Sequence, residues 1–356
     1  MKKIIILGKK SRIPEFFLYP IKKNKSLLRE KGYDVKIIYN HDRVKKSCDI
    51  LCLMSIYFTT WWETPEKVIE FIEEAKKYCN KIVWLDDTDS TGVTHFELLP
   101  YIDLYLKKQL FKDKTLYTKT LYSDRLFTEF YHKEFGISDE TSYQSKKLDL
   151  SLAHKVNLSW HIGLGDMAGD ILPRFVRFIR SKMAPKYPKV LQIVHGKKSF
   201  DFMFKGTRKY PRNTVSFHRE EMGRLLDNMN QFKAILKGRV PIKEYKNQMC
   251  ESKIVISPFG WGEIGVRDFE ALIYGSVLMK PDMSHMETWP DIFIPHETYY
   301  PINWNFDNLE TCIQQLVDDE KLRIELAANG QKTYLKTISD DGMESFCDWF
   351  IQQVEI

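Results

Sequence analysis

The stretch 252–281 holds the residues best suited to ligand chemistry. Glycines let a backbone turn sharply and approach a ligand closely. An arginine suits phosphate oxygens, and a carboxylate accepts hydrogen bonds from sugar hydroxyls. The stretch combines these types in the order Gly260, Gly262, Gly265, Arg267 and Glu270. It therefore predicts a nucleotide-sugar site; the alternative is a tight turn in which Arg267 pairs with Glu263 or Glu270.

The residues on either side of these glycines predict the elements that would position them. The β-branched run 254–256 favours a buried strand, and the apolar run 277–279 favours a second one. Between them, Val266, Phe269 and Leu272 recur at helical spacing. Such a unit directs the free N–H groups and the positive dipole end of a helix toward the loop, where a phosphate can bind.

The same stretch resembles the C-terminal nucleotide-binding half of GT-B glycosyltransferases of the group 1 type. The matching residues are Ser257-Pro258, Gly260-Trp261-Gly262-Glu263, Phe269-Glu270-Ala271-Leu272 and Gly275. The resemblance implies that Glu270 binds the donor ribose. Family members often place seven residues between their two glutamates, whereas six separate Glu263 from Glu270. The role of Glu270 therefore carries over better than that of Glu263, and the retaining subclass is not implied.

The resemblance also implies donor contacts elsewhere in the C-terminal half. Donors of the family lie between the first loop of this domain and the glycine loop, so Lys205 and Arg208 are candidates to bind the diphosphate. Both belong to the densest basic cluster of the chain, for which a solvated basic face is the alternative. The turn after residues 234–236 is expected to border the nucleobase. The expected donor-binding residues are Lys205, Arg208, Arg239, Val240, Gly262, Glu263, Ile264, Gly265, Arg267 and Glu270.

A second group of reactive side chains follows the apolar run 82–85 and consists of Asp86, Asp87 and Asp89. Open α/β sheets bind ligands beyond the carboxyl ends of their strands, where a carboxylate can deprotonate an acceptor hydroxyl. Inverting GT-B enzymes commonly use an acid in this half as the base. By resemblance we expect Asp87 in that role, with Asp86 and Asp89 as rivals. The alternative is a cluster of turn residues.

Two further motifs have alternative interpretations. Asp87-Thr88-Asp89 also resembles the metal-binding Asp-x-Asp of GT-A glycosyltransferases. The glycine-loop pattern favours a metal-free GT-B site, so we expect no metal ligands and no cofactor besides the donor. His161 follows Trp160 near the expected domain junction and can act as an acid or base. The alternative is a packed aromatic residue beside a hinge.

The length of 356 residues and the alternation of strands with helices predict two Rossmann-like α/β domains that face a cleft, as in GT-B. We expect an N-terminal acceptor domain at 1–165 and a nucleotide-sugar domain at 166–338. A C-terminal helix at 339–356 is expected to cross back to the first domain. Smaller predictions are a helix across 21–31 and a strand near 189–194 that opens the second domain.

Composition bounds the partners and the compartment. The net charge of +6 suits an anionic donor or a membrane surface, although a mild excess of lysine more often means a solvated exterior. No nucleic-acid motif accompanies the basic cluster, so we expect no nucleic-acid partner. The six cysteines lack metal-ligand spacing, and no apolar run is long enough to span a bilayer. We expect a cytoplasmic protein, with peripheral membrane contact left open.

These observations predict a metal-independent glycosyltransferase. It would move a sugar from a UDP- or GDP-sugar to a carbohydrate acceptor in the synthesis of a surface glycan, such as a capsule, a lipopolysaccharide or a glycoprotein glycan. One alternative is a nucleotide-sugar epimerase on the same fold. Another is a non-catalytic glycan-binding or scaffold protein, because a fold alone does not define an activity.

Overall fold

The computed structural model describes residues 1–62, 64–142, 144–167, 196, 198–236 and 238–356. Strands described in the N-terminal half form a parallel sheet in the order β2-β1-β3-β4-β5-β7. Apolar runs such as 4–7 are buried, as strands covered on both faces require. The strands are β1 (Lys2–Leu7), β2 (Tyr33–Ile38), β3 (Cys48–Met54), β4 (Cys79–Asp86), β5 (Leu104–Lys107) and β7 (Val156–Leu158), and a separate short strand is β6 (Gln109–Phe111).

The helices described in this half are α1 (Arg12–Lys23), α2 (Lys25–Glu30), α3 (Pro65–Ala75) and α4 (Leu126–Phe135). The expected helix across 21–31 is wrong at its start, because α1 already begins at Arg12. Pro14 fits the first turn, where its missing N–H leaves no hydrogen bond unmade, and the buried Phe17 and Ile21 hold the helix against the sheet. α1 ends at Lys23, and the N–H of the capping residue Asn24 donates to the carbonyl of Pro20 before α2 begins at Lys25.

The described strands of the C-terminal half form a second parallel sheet in the order β13-β11-β10-β8-β9. They are β8 (Phe200–Met203), β9 (Ala234–Ile235), β10 (Ser252–Ile256), β11 (Val277–Pro281) and β13 (Tyr300–Ile302). The helices are α5 (Asn213–Asp227), α6 (Ile242–Glu251), α7 (Val266–Ile273), α8 (Leu309–Asp318) and α9 (Glu320–Thr337). The predicted strand, glycine loop, helix and strand are confirmed as β10, α7 and β11. The strand expected near 189–194 lies outside the described residues.

Contacts between the halves in the described part of the chain include a strand pair and the last helix. β12 (Met286–Thr288) pairs antiparallel with β6. The last helix, α10 (Asp340–Glu355), packs on the N-terminal half, where Phe346 and Phe350 contact the ring of Trp160 edge-on. The Trp349 indole N–H donates to the carbonyl of Ser159 at 2.9 Å. The domain boundaries expected after residues 165 and 338 stay predictions.

Two parallel sheets, each flanked by helices, confirm the predicted α/β fold class of two Rossmann-like units. The carboxyl ends of their strands are where such sheets bind ligands. No helix among the described residues is both long enough and apolar enough to cross a membrane.

Candidate functional site

A cleft of about 1260 Å³ lies between the two halves. The N-terminal half contributes Arg12, Ile13, Asp89 and Ile162, and the C-terminal half contributes the loops after β8, β9 and β10 with the start of α7. From the described part of the chain, six cationic and two anionic side chains line it. They are Arg12, Lys205, Arg208, Arg219, Arg239, Arg267, Asp89 and Glu270. This excess of positive charge favours an anionic ligand.

The start of α7 is fixed by a buried carboxylate. Asp268 accepts a hydrogen bond from the Gly265 N–H at 2.9 Å and from the Ser257 hydroxyl at 2.5 Å. It also forms a fully buried ion pair with Lys280 on β11. These contacts tie the first turn of the helix to two strands of the sheet, while residues 264–267 line the cleft. The N–H groups and dipole of this turn therefore favour an anion in the cleft.

Two guanidinium groups converge beside Gly206, which has a φ of +151°. A Cβ built on Gly206 would lie 2.8 Å from Nη2 of Arg219 and 3.2 Å from Nη1 of Arg267. Burial, together with nearby Arg267, lowers the pKa of Arg219 to about 10. Arg219 therefore remains charged at neutral pH. The backbone at Gly206 leaves room for them that any larger residue would occupy.

Lys205, the residue before Gly206, adds a third cation to the lining of the cleft. Its side chain is buried, and its Nζ has no hydrogen-bond partner among the described residues. Nε of Arg267 likewise has no partner within the described ranges. Burial lowers the pKa of Lys205. Buried cationic donors without protein acceptors are costly unless a ligand satisfies them, so we interpret this part of the cleft as a phosphate site.

Glu270 lies one turn further along α7, and its side chain is only 7% exposed. Its Oε2 accepts a hydrogen bond from the Tyr245 hydroxyl at 2.8 Å. Burial and the neighbouring carboxylate raise the pKa of Tyr245, so the phenol stays protonated and donates. Arg239 and Val240 line the same cleft. The expected ribose contact of Glu270 and nucleobase contacts of residues 239–240 stay predictions.

Asp86 is enclosed in the N-terminal half. It forms a fully buried ion pair with Lys107 at 3.0 Å and accepts hydrogen bonds from Tyr105 and from the Thr88 hydroxyl. Burial alone would raise its pKa, but Lys107 and these donors hold the pKa of Asp86 at about 2. Asp86 does not line the cleft. As placed, it stabilises the fold and does not face an acceptor.

Asp87 also points into the protein. It accepts hydrogen bonds from the Ser55 hydroxyl at 2.7 Å and from the Ile56 N–H at 3.0 Å. Burial raises the pKa of Asp87 to about 6, although both hydrogen bonds oppose that rise. It does not line the cleft, and its expected role as the base stays a prediction. The sequence pattern did not reveal that Ser55, which directly follows β3, donates a hydrogen bond to this carboxylate.

Asp89 is the member of this cluster that lines the cleft. Its side chain is 48% exposed and pairs with the buried Lys108 at 3.1 Å. Its carbonyl accepts a hydrogen bond from the Gln109 amide at 2.9 Å. Within the ranges that the structure describes, no group of three or more His, Cys, Asp or Glu side chains could hold a metal ion.

His161 is fully buried and does not line the cleft. Its Nδ1 accepts from the Gly163 N–H at 3.0 Å, so Nε2 carries the proton and donates to the Pro290 carbonyl at 3.0 Å. Burial lowers the pKa of His161 to about 4. With both nitrogens engaged, His161 connects the halves and is not placed for acid or base catalysis.

Two expected donor ligands are occupied by internal partners. Glu263 is buried outside the cleft lining, where it accepts hydrogen bonds from the Thr91 N–H at 3.1 Å and the Gln109 amide at 2.9 Å. Arg208 does line the cleft, but Asp227 binds its guanidinium through both oxygens at 2.7 and 2.9 Å. Glu263 therefore lies outside the described lining of the cleft, and its expected contact with the donor stays a prediction. Lys205, Arg208 and Arg267 all line the cleft.

Arg219 is the main site residue that sequence reasoning missed. It lies on α5 on the same side as Val215 and Met222, at the i+4 and i−3 positions of an apolar stripe. Its Nε donates to the Thr207 carbonyl at 2.6 Å and its Nη1 to the Phe259 carbonyl at 2.7 Å. An arginine on the apolar face of a helix was the available signal.

No family model and no curated protein matches this chain. Similar solved structures include an alpha-glucosyltransferase in complex with UDP-glucose and DNA containing an abasic site, at 11% identity over 99% of this chain and 98% of that chain, with a TM-score of 0.44. A glycosyltransferase from Rickettsia africae ESF-5 is similar at 11% identity over 99% and 98%, with a TM-score of 0.47. Anabaena Alr3699/HepE in complex with UDP-glucose is similar at 11% identity over 99% and 100%, with a TM-score of 0.44.

These likenesses are distant, and the function proposed below rests on the residues of the cleft. Two of the three structures are described as glycosyltransferases, the class that the glycine loop resembles. The expectation that excludes a nucleic-acid partner is wrong. Similar structures include alpha-glucosyltransferase complexes with 13-mer DNA, at 12% and 10% identity and TM-scores of 0.41 and 0.44.

Proposed function

We propose that this chain is a glycosyltransferase that moves a sugar from a nucleoside-diphosphate sugar, with UDP or GDP as the nucleotide, to a carbohydrate hydroxyl. The observation that carries the proposal is the pair of guanidinium groups of Arg219 and Arg267 beside Gly206, in a cleft that Lys205 and the start of α7 also line. Three cations in one cleft suit a diphosphate. Glu270 on the next turn suits the ribose hydroxyls. The destination of the product in a surface glycan rests on the sequence resemblance alone.

In the proposed reaction, the bond between the sugar and the diphosphate breaks while a bond to the acceptor oxygen forms. The cations around Gly206 stabilise the negative charge that develops on the departing nucleoside diphosphate. Asp89, on the opposite wall, takes the proton of the acceptor hydroxyl. Because the protein itself supplies this positive charge, we propose that transfer proceeds without a metal ion.

Donor binding is the first test. Calorimetric titration of UDP, UDP-glucose, UDP-N-acetylglucosamine, GDP and GDP-mannose in EDTA should show selective binding by the wild type. Glu270→Ala should weaken UDP binding by roughly 10-fold, since a hydrogen bond to a charged group contributes about 1.5–3 kcal/mol. It should also remove the preference for UDP over 2′-deoxy-UDP. Glu220→Ala, at an exposed position of α5, is the matched control and should bind as the wild type does.

Absence of binding to every nucleotide would contradict the proposal. A Glu270→Ala variant that still prefers UDP over 2′-deoxy-UDP would contradict the ribose contact alone. Turnover is then followed as nucleoside diphosphate released from the donor that binds, with simple glycosides or a 13-mer DNA duplex as acceptor. Transfer to the DNA alone would replace the carbohydrate acceptor in the proposal. Isomerised donor without release would favour the epimerase.

A further inference from the structure

Gln109 is fully buried where the two halves meet, and its side-chain amide connects both walls of the cleft. Nε2 donates to the carbonyl of Asp89 at 2.9 Å and to Oε2 of Glu263 at 2.9 Å. An amide nitrogen carries two hydrogens, so one can serve each acceptor. Gln109 thus links the backbone of the acid that faces the cleft to the glycine loop.

The orientation of this amide is determined by Glu263. Besides Gln109, that carboxylate accepts hydrogen bonds from the Thr91 N–H at 3.1 Å and from the Ser90 hydroxyl at 3.3 Å. Burial opposes its ionisation, but the neighbouring His285 and the backbone donors hold the pKa of Glu263 at about 2. An ionised carboxylate only accepts hydrogen bonds. The NH₂ group of Gln109 must therefore face Glu263, and the same NH₂ group then faces Asp89.

Asp89 is also in direct backbone contact with the glycine loop. A Cβ built on Gly262 would lie 1.6 Å from the Asp89 carbonyl oxygen, so no other residue fits at this position without a shift. The Asp89 carbonyl is held between Gly262 and Gln109. The distance from its carboxylate to the cations of the opposite wall is therefore set by this contact and not by the N-terminal sheet alone.

We propose that Gln109 is a positioning residue for sugar transfer, which, together with Glu263, fixes the candidate base Asp89 against the glycine loop. This inference rests on the proposed function, because it assigns the proton of the acceptor to Asp89. It assigns Glu263 to the alignment of the two walls and not to the donor. If Gln109 served only in packing, replacing it would lower the stability of the protein and its turnover together.

The first experiment is a double-mutant cycle between Gln109→Met and Asp89→Asn, with nucleoside diphosphate release from the bound donor as the readout. Methionine has a similar shape and no amide donor. We expect Gln109→Met to lower kcat by 10-fold or more while the Kd for UDP changes by less than 2-fold. In the Asp89→Asn background it should lower kcat no further, since Gln109 acts through Asp89. Additive losses would overturn the inference.

The second experiment exchanges the two side chains, with Gln109→Glu and Glu263→Gln in one protein. The exchanged pair can re-form its hydrogen bond with the direction reversed, but a carboxylate then faces the Asp89 carbonyl. We expect the Tm to recover relative to Gln109→Glu alone, while kcat stays 10-fold or more below wild type. Recovery of kcat together with the Tm would overturn the inference and leave a packing role.

Different results would contradict the role of Asp89 as the base and the role of Gln109 as a positioning residue. Wild-type turnover by Asp89→Asn would remove Asp89 from the proposed mechanism and would overturn the inference with it. A loss of UDP affinity in Gln109→Met as large as its loss of kcat would overturn the inference alone, because the glycine loop itself would then have moved. Thermal unfolding of every variant is recorded so that a poorly folded Gln109→Met is recognised. In that case the kcat and Tm of the variant with Gln109→Glu and Glu263→Gln test the inference.

Discussion

The two walls of the cleft differ in how their charged residues are divided between fold and ligand. In the loop after β4, Asp86 and Asp87 are taken up by internal partners and only Asp89 faces the cleft. On the opposite wall, Asp227 occupies Arg208, whereas Arg267 keeps a buried nitrogen without a partner among the described residues. On each wall, charged residues of the same sign thus have different roles.

This comparison teaches that an internal partner decides whether a charged residue is available to a ligand. The walls differ in where those partners come from. On the C-terminal wall, the start of α7 is fixed within one β10–α7–β11 unit, by the contacts of Asp268 with Gly265 and Lys280. Asp89 of the N-terminal wall is held by Gln109 and Gly262, the latter from the other half of the chain.

The largest effect should come from removing the internal partner of Asp86. Lys107→Met leaves a fully buried carboxylate without its cation, which should lower the free energy of unfolding by about 3–5 kcal/mol at pH 7. Lys108→Met is the matched change beside Asp89, whose half-exposed carboxylate can turn to water. It should cost at most about 1 kcal/mol. Urea unfolding measures both variants. Equal losses of unfolding free energy would contradict the distinction between the enclosed Asp86 and the cleft-facing Asp89.

A somewhat smaller effect is expected from Asp87→Asn, and its sign depends on pH. Burial raises the pKa of Asp87 to about 6 in the folded protein, so folding favours its protonated form. The wild type should therefore lose stability as the pH rises from about 4 to about 6, reaching roughly 3 kcal/mol above that range. An asparagine oxygen can still accept from Ser55 and Ile56. Asp87→Asn should thus be more stable than wild type at pH 8.

The control for this titration is Asp86, whose pKa of about 2 gives the opposite sign. Its ionised form contributes stability above about pH 4 that is lost as the pH falls toward 2, so Asp86→Asn should destabilise the protein at pH 8. Unfolding by urea at pH 4, 6 and 8 separates the two aspartates. Parallel stability curves for wild type and Asp87→Asn over this range would contradict the prediction.

The strand, glycine loop and helix at 252–281 could be predicted from the sequence because their signals are local: glycines, a β-branched run and helical periodicity. The choice among Asp86, Asp87 and Asp89 could not, because it depends on Lys107, Ser55 and Gln109. These partners meet the aspartates only after β3, β4 and β5 pair. The same limit applies to Glu263, whose partners lie about 150 residues or more away in sequence.

The third prediction compares two arginines that line the same cleft. Arg267→Ala removes a guanidinium beside Gly206, which should raise the Kd for UDP by roughly 10- to 100-fold, the equivalent of about 1.5–3 kcal/mol. Arg208→Ala removes a guanidinium that Asp227 already binds through both oxygens, so the Kd should change by less than about 3-fold. Calorimetric titration at two salt concentrations measures both, and the loss in Arg267→Ala should shrink at high salt. Equal losses would mean that Arg208 leaves Asp227 to bind the ligand, and an internal partner would then not decide which charges the cleft can use.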